Sequence, residues 1–136
     1  MKIGMTGSRC GITNEALKSF NKYLKLIKIN EAHHGDCVGA DTIFHNLMMQ
    51  INIPIVIHPP DVDSMRAYCV SNNIRPPQKY LVRNKNIVND TDILIAFPSE
   101  KTEILRSGTW STIRYASKIG KQVYIFYPDG STNFAM

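Results

Sequence analysis

Short apolar runs punctuate the chain at residues 2–6, Glu31–His34, 53–58, 92–97 and 122–127, and stretches with helical spacing separate most of them. That alternation predicts α/β architecture with about five strands. At 53–57 and 93–97 the hydrophobicity is continuous rather than alternating, as in strands covered on both faces of a parallel sheet. A first helix is expected after Thr13, its N-cap, burying Leu17, Phe20, Leu24 and Ile27 and exposing Lys18, Lys22, Lys25 and Lys28. A second spans Ala40–Gln50 and buries Ile43, Phe44, Leu47 and Met48. A third covers 78–89 after Pro76-Pro77, and a fourth runs from about Thr109 to Lys118, where Gly120 stops it. Residues 59–77 lack periodicity and read as a long loop of the kind that forms lids, and the tail 128–136 reads as loosely held.

At 136 residues the chain has room for one core, so a single domain over residues 1–136 is expected. A hydrophobic content of 43% with 20% charged residues excludes disorder and fibrous classes. The formal charge of +5 favours anionic partners, nucleotide or nucleic acid. Three cysteines without a CxxC pair argue against a disulfide framework and for a reducing, cytoplasmic setting. No apolar run approaches the ~20 residues of a membrane helix, so no membrane partner is expected.

In a parallel α/β sheet ligands bind beyond the carboxyl ends of the strands, which directs attention to the residues that follow each one. After the first strand, Gly7-Ser8-Arg9 offers tight turning, a hydroxyl and a guanidinium. After the second, Gly35-x-x-x-Gly39-Ala40-Asp41 opens a helix with bare backbone N–H groups. Asp41 either stabilises that helix end or holds a ribose hydroxyl or a proton in transfer, and it is the candidate catalytic residue. Arg83-Asn84 add a forked cation and an amide; Ser107-Gly108-Thr109 form a phosphate seat at the last helix. His33, His34, Cys37, His45 and Cys10 match no structural zinc spacing, and adjacent histidines on a strand face opposite ways, so neither metal nor cofactor is expected.

Gly7-Ser8-Arg9, the Gly35-to-Asp41 stretch with His45 after it, Arg83-Asn84, Ser107-Gly108-Thr109, Ala116 and Gly120-Lys121-Gln122-Val123 occur in an order that resembles the SLOG superfamily. Its members include DprA/Smf-like DNA-processing domains, the Lonely-guy phosphoribohydrolases and small stand-alone YspA-type proteins, the last matching best in length. The resemblance spans residues 3–127 and implies a three-layer Rossmann-like fold with a mainly parallel sheet. It also implies a nucleotide or nucleotide-derived ligand at the carboxyl edge and self-association into a homo-oligomer. Lonely-guy enzymes carry Gly-Gly-x-Gly-Thr-x-x-Glu, and nucleoside deoxyribosyltransferases a similar Ser-Gly-Thr-x-x-Glu. Here Thr112 stands at that glutamate position, and a hydroxyl cannot replace a carboxylate base or nucleophile at neutral pH. Three readings follow: a nucleotide-binding module, a nucleoside monophosphate N-glycosidase using Asp41, Glu100 or Glu103, and a single-stranded-DNA binder using the charge and the lysine stripe.

Overall fold

The computed structural model describes residues 1–135 and folds as a three-layer α/β sandwich. Its strands are β1 (Lys2–Gly7), β2 (Glu31–His34), β3 (Ile55–Ile57), β4 (Asn73–Ile74), β5 (Ile93–Phe97), β6 (Gln122–Phe126) and β7 (Thr132–Ala135). The helices are α1 (Asn14–Leu24), α2 (Ala40–Gln50), α3 (Tyr80–Asn89) and α4 (Gly108–Lys118), with a short 3₁₀ turn at Asp63–Met65. The order across the sheet is β4-β3-β2-β1-β5-β6-β7, parallel throughout except for antiparallel β7.

The expected five strands are all present, and the count of about five is corrected to seven. β4 is two residues of the 59–77 segment recruited by Val56 and Ile57. β7 is the tail, folded back through Asp129-Gly130 so that Thr132 pairs with Phe126. Gly130 takes φ 87 in that turn, and the Asp129 carboxylate accepts from the Ser131 backbone N–H at 2.9 Å. The tail is therefore a sheet edge rather than a loose end.

Strand alternation divides the core in two. Ile3 and Met5 of β1 pack with Ala16 and Phe20 of α1 and with Phe44 and Met48 of α2. Leu94 and Ala96 of β5 pack on the other side with Val88 of α3 and with Trp110 and Ile113 of α4. Thr13 caps α1 as its sequence position indicates, its hydroxyl accepting from the Ala16 N–H at 3.1 Å. That helix ends at Leu24, so Ile27 falls beyond it. The order of strand addition reverses about β1: β2 and β3 build outward on one side, β5 and β6 on the other, all parallel to it. The crevice at such a switch point is where an open α/β sheet receives ligands. Among the described residues no helix is long and apolar enough to cross a membrane.

Candidate functional site

A cavity of about 550 Å³ opens at the carboxyl ends of β1 and β5, between the N-termini of α2 and α4 and one side of α3. Ten of the twelve residues expected there line it: Gly7, Ser8, Arg9, Gly35, Asp41, Arg83, Asn84, Ser107, Gly108 and Thr109. Gly39 and Ala40 do not. Ala40 is fully buried, its N–H donating to the Ser8 carbonyl at 3.0 Å. Gly39 has φ 98, and a Cβ there would lie 2.3 Å from the Arg9 carbonyl oxygen.

Packing also explains two glycines that do line the cavity. A Cβ on Gly35 would strike the Arg83 guanidinium at 2.3 Å, and one on Gly7 would strike the Ala40 Cβ at 2.5 Å. Gly108 differs, with open space where its Cβ would stand. It leaves the start of α4 accessible, where free N–H groups face the cavity. Ser107 caps that helix, accepting from the Trp110 N–H at 3.3 Å, and keeps its own O–H to donate.

Arg83 organises the site. It is buried on α3, donates through Nη1 to the carbonyls of Gly35 and His58, and through Nε to the Asn84 side-chain oxygen at 2.7 Å. No carboxylate pairs with it among the described residues. Arg9 and Arg106 also line the cavity without an ion pair among the described residues, Arg9 Nη2 donating to the Met65 sulfur at 3.5 Å. The three remaining arginines, all outside the cavity, each have an acidic partner: Arg66 with Asp36, Arg75 with Asp90 and Arg114 with Glu103. Arg106 is an addition to the expected residues, its signal in the sequence being its place immediately before the Ser107 seat.

Among the described residues Asp41 is the one carboxylate lining the cavity. Its Oδ2 accepts from the Cys37 backbone N–H at 3.0 Å, which ties the loop ahead of Gly39 to the first turn of α2 without capping that helix. Burial pushes its carboxyl up to about 6, opposed by that N–H and by the Arg83 charge. Burial, and then the Asp41 charge, push the neighbouring Cys37 thiol up as well, which keeps it protonated and a poor nucleophile. Thr112 turns away, donating from its hydroxyl to the Gly108 carbonyl at 2.8 Å. Glu100 and Glu103 lie outside the cavity, bonded to Ser99 and Arg114. The lysine stripe of α1 is exposed and does not reach the cavity.

The 59–77 segment forms part of the cavity wall through Val62 and Met65, and it is tied down. Asp36, fully buried with φ 58, accepts from Arg66 Nε at 3.2 Å and from the Cys69 N–H at 2.9 Å. Its carbonyl accepts from the Ala67 N–H at 2.7 Å. Nothing local in the sequence marks Asp36, because its partners lie some thirty residues away. No family model, curated protein or solved structure matches this chain.

Proposed function

We propose that this protein binds a nucleotide or nucleotide-derived ligand, such as a nucleoside phosphate, an ADP-ribose derivative or a cyclic nucleotide, in the cavity at the carboxyl edge of the sheet. One observation carries the reading. Among the described residues all three arginines that line the cavity lack a carboxylate partner, whereas all three outside it have one. A buried guanidinium such as Arg83 is costly without a counter-charge; its Nη1 and Nε are held by the Gly35 and His58 carbonyls and by Asn84, so Nη2, 3.7 Å from the Cys37 sulfur, is the nitrogen left to meet a phosphate oxygen, while the exposed Arg9 and Arg106 can take one as forks. The accessible N-terminus of α4 and the Ser107 hydroxyl favour the same kind of anion. Val62, Met65 and Tyr80 offer an apolar wall suited to a base, and Asp41 an acceptor for a ribose hydroxyl. The resemblance to the SLOG superfamily agrees with this reading.

A second reading is N-glycosidic hydrolysis of a nucleoside monophosphate with Asp41 as general acid. The observation favouring it is an Asp41 carboxyl held at about 6, near an operating pH. Calorimetric titration with AMP, ADP, cyclic AMP and ADP-ribose, followed by chromatography of the recovered ligand, separates the two. Binding with the nucleotide recovered intact supports the module, and release of free base supports the hydrolase. No saturable binding to any of them refutes both.

A further inference from the structure

Strand β2 carries two adjacent histidines on opposite faces of the sheet, and each meets a second histidine. On one face His34 Nε2 lies 2.9 Å from Nδ1 of His45 on α2; on the other His33 Nδ1 lies 2.8 Å from Nε2 of His58. Both pairs have a third metal-ligating group close by, Cys69 for the first and Asp90 for the second, with all donor atoms of a group within 4.8 Å of one another. Their hydrogen bonding separates them.

His34 Nδ1 accepts from the Asp36 backbone N–H at 2.9 Å, so in the neutral ring Nε2 carries the proton and donates to His45. A metal at that nitrogen would require an imidazolate. The Cys69 thiol is also held at about 12, by burial and then by the Asp36 charge. This group is a hydrogen-bonded chain that resists a metal.

His33 has the opposite arrangement. Its Nε2 faces the Glu31 carboxylate at 2.7 Å and therefore donates, which leaves the Nδ1 lone pair directed at His58. A carboxylate behind a histidine in this way fixes the ring and raises the basicity of the far nitrogen, as behind metal-ligating imidazoles. We propose that His33 Nδ1, His58 Nε2 and the Asp90 carboxylate form a binding site for a divalent transition-metal ion of the Zn²⁺ class, oriented by Glu31 behind His33.

Two imidazoles and a carboxylate are a donor set that such ions accept, with one position left for water or ligand. A second cavity of about 270 Å³, bordered by His58, Arg75, Gln78, Arg83, Asn86 and Asp90, provides the entry path, with Arg75 held on Asp90 and Arg83 on backbone carbonyls. Binding moves the His58 proton from Nε2 to Nδ1 and turns the rings so that the two nitrogens separate to about 3.3 Å, the edge of a tetrahedron with Zn–N bonds of about 2.0–2.1 Å. It also releases Arg75 from Asp90, a 3.4 Å pair between half-exposed groups that is weakly held. Spacing along the chain did not disclose this site, because its donors come from β2, the end of β3 and the end of α3.

The test is titration of the chelator-treated protein with Co²⁺, followed by visible absorption, and then competition with Zn²⁺. The expected result is one equivalent of Co²⁺ with an intense tetrahedral spectrum that Zn²⁺ displaces. His58→Gln should abolish it and Glu31→Gln should weaken it about 10–100-fold. Asp90→Asn, at an exposed position, weakens it at least about tenfold without threatening the fold, which covers the event that His58→Gln does not fold. His45→Gln should bind as the parent does. Absence of saturable Co²⁺ uptake overturns the proposal, as does uptake lost in His45→Gln but kept in Asp90→Asn and Glu31→Gln.

Discussion

Asp36 and Asp41 are two buried carboxylates five residues apart in one loop-and-helix segment, and they are treated in opposite ways. Asp36 is saturated by Arg66 and the Cys69 N–H, and so fastens the 59–77 segment to the end of β2. Asp41 has the Cys37 N–H as its close partner and no arginine within ion-pair distance, although unpaired guanidinium groups line the same cavity. A segment that serves architecture has its charges neutralised internally. A surface that serves a ligand leaves charges open, and the fold tolerates the cost because the rest of the core is well packed.

The sharpest way to break this contrast is Asp36→Ala. Removing one partner strands the Arg66 charge and frees the strap, so urea unfolding should show a loss of about 3–5 kcal/mol. A loss below about 1 kcal/mol would mean the strap is not what holds the segment.

Asp41→Asn should act in the opposite sense. The folded pKa of about 6 lies above the ~3.9 of an unfolded carboxyl, so the folded chain binds the proton more tightly. Wild-type stability therefore declines as pH rises from about 4 to about 6, and the penalty is complete above that. The asparagine variant lacks the decline, keeps the Cys37 N–H bond through its amide oxygen, and should be more stable at pH 8 by up to about 3 kcal/mol. Near pH 4 the two should coincide. Thermal unfolding at both values checks this, and an identical pH profile for the two proteins would remove Asp41 from the account.

Arg9→Ala and Arg106→Ala sharpen the other half of the contrast. Both side chains are exposed and unpaired, so folding stability should change by no more than about 0.5 kcal/mol. Nucleotide affinity should fall by about 1–2 kcal/mol each, roughly 5–30-fold, by calorimetry. The smallest effect belongs to Arg114→Ala. Its 2.7 Å pair with Glu103 is exposed, and its loss should cost about 0–1 kcal/mol in unfolding and nothing in binding.

Much of this was legible in the chain because it is written locally. Thr13 announces its helix by capping chemistry, and the continuous apolar run Ile93–Phe97 announces a strand buried on both faces, whereas the last helix, expected from about Thr109, starts at Gly108 with Ser107 as its cap. β4 was not legible, since Asn73 and Ile74 become a strand only through their neighbours in β3. β7 had a signal that went unused: Asp129-Gly130 is a hairpin turn pair between two strand-forming stretches. The cavity's residues were found because ligand-facing loops follow strands. Tight turning accounts for Gly7 and a bare helix start for Gly39 in the sequence, whereas in the fold the space a Cβ would need at Gly7, Gly35 and Gly39 is taken by Ala40, Arg83 and the Arg9 backbone. Asp36 and His58 stayed hidden because their meaning lies in partners distant along the chain.

The most direct test of the central claim is a thermal-shift panel at low and physiological salt, with nucleoside mono-, di- and triphosphates, NAD, ADP-ribose, cyclic nucleotides and single-stranded DNA. A nucleotide at about 100 times its dissociation constant adds ~2.7 kcal/mol, which raises Tm visibly. The account predicts that one nucleotide class raises Tm at both salts and that an Arg9→Ala/Arg106→Ala double variant loses most of the shift. A shift produced by DNA alone, present only at low salt and unaffected by the double variant, would contradict it and assign the binding to the lysine face of α1.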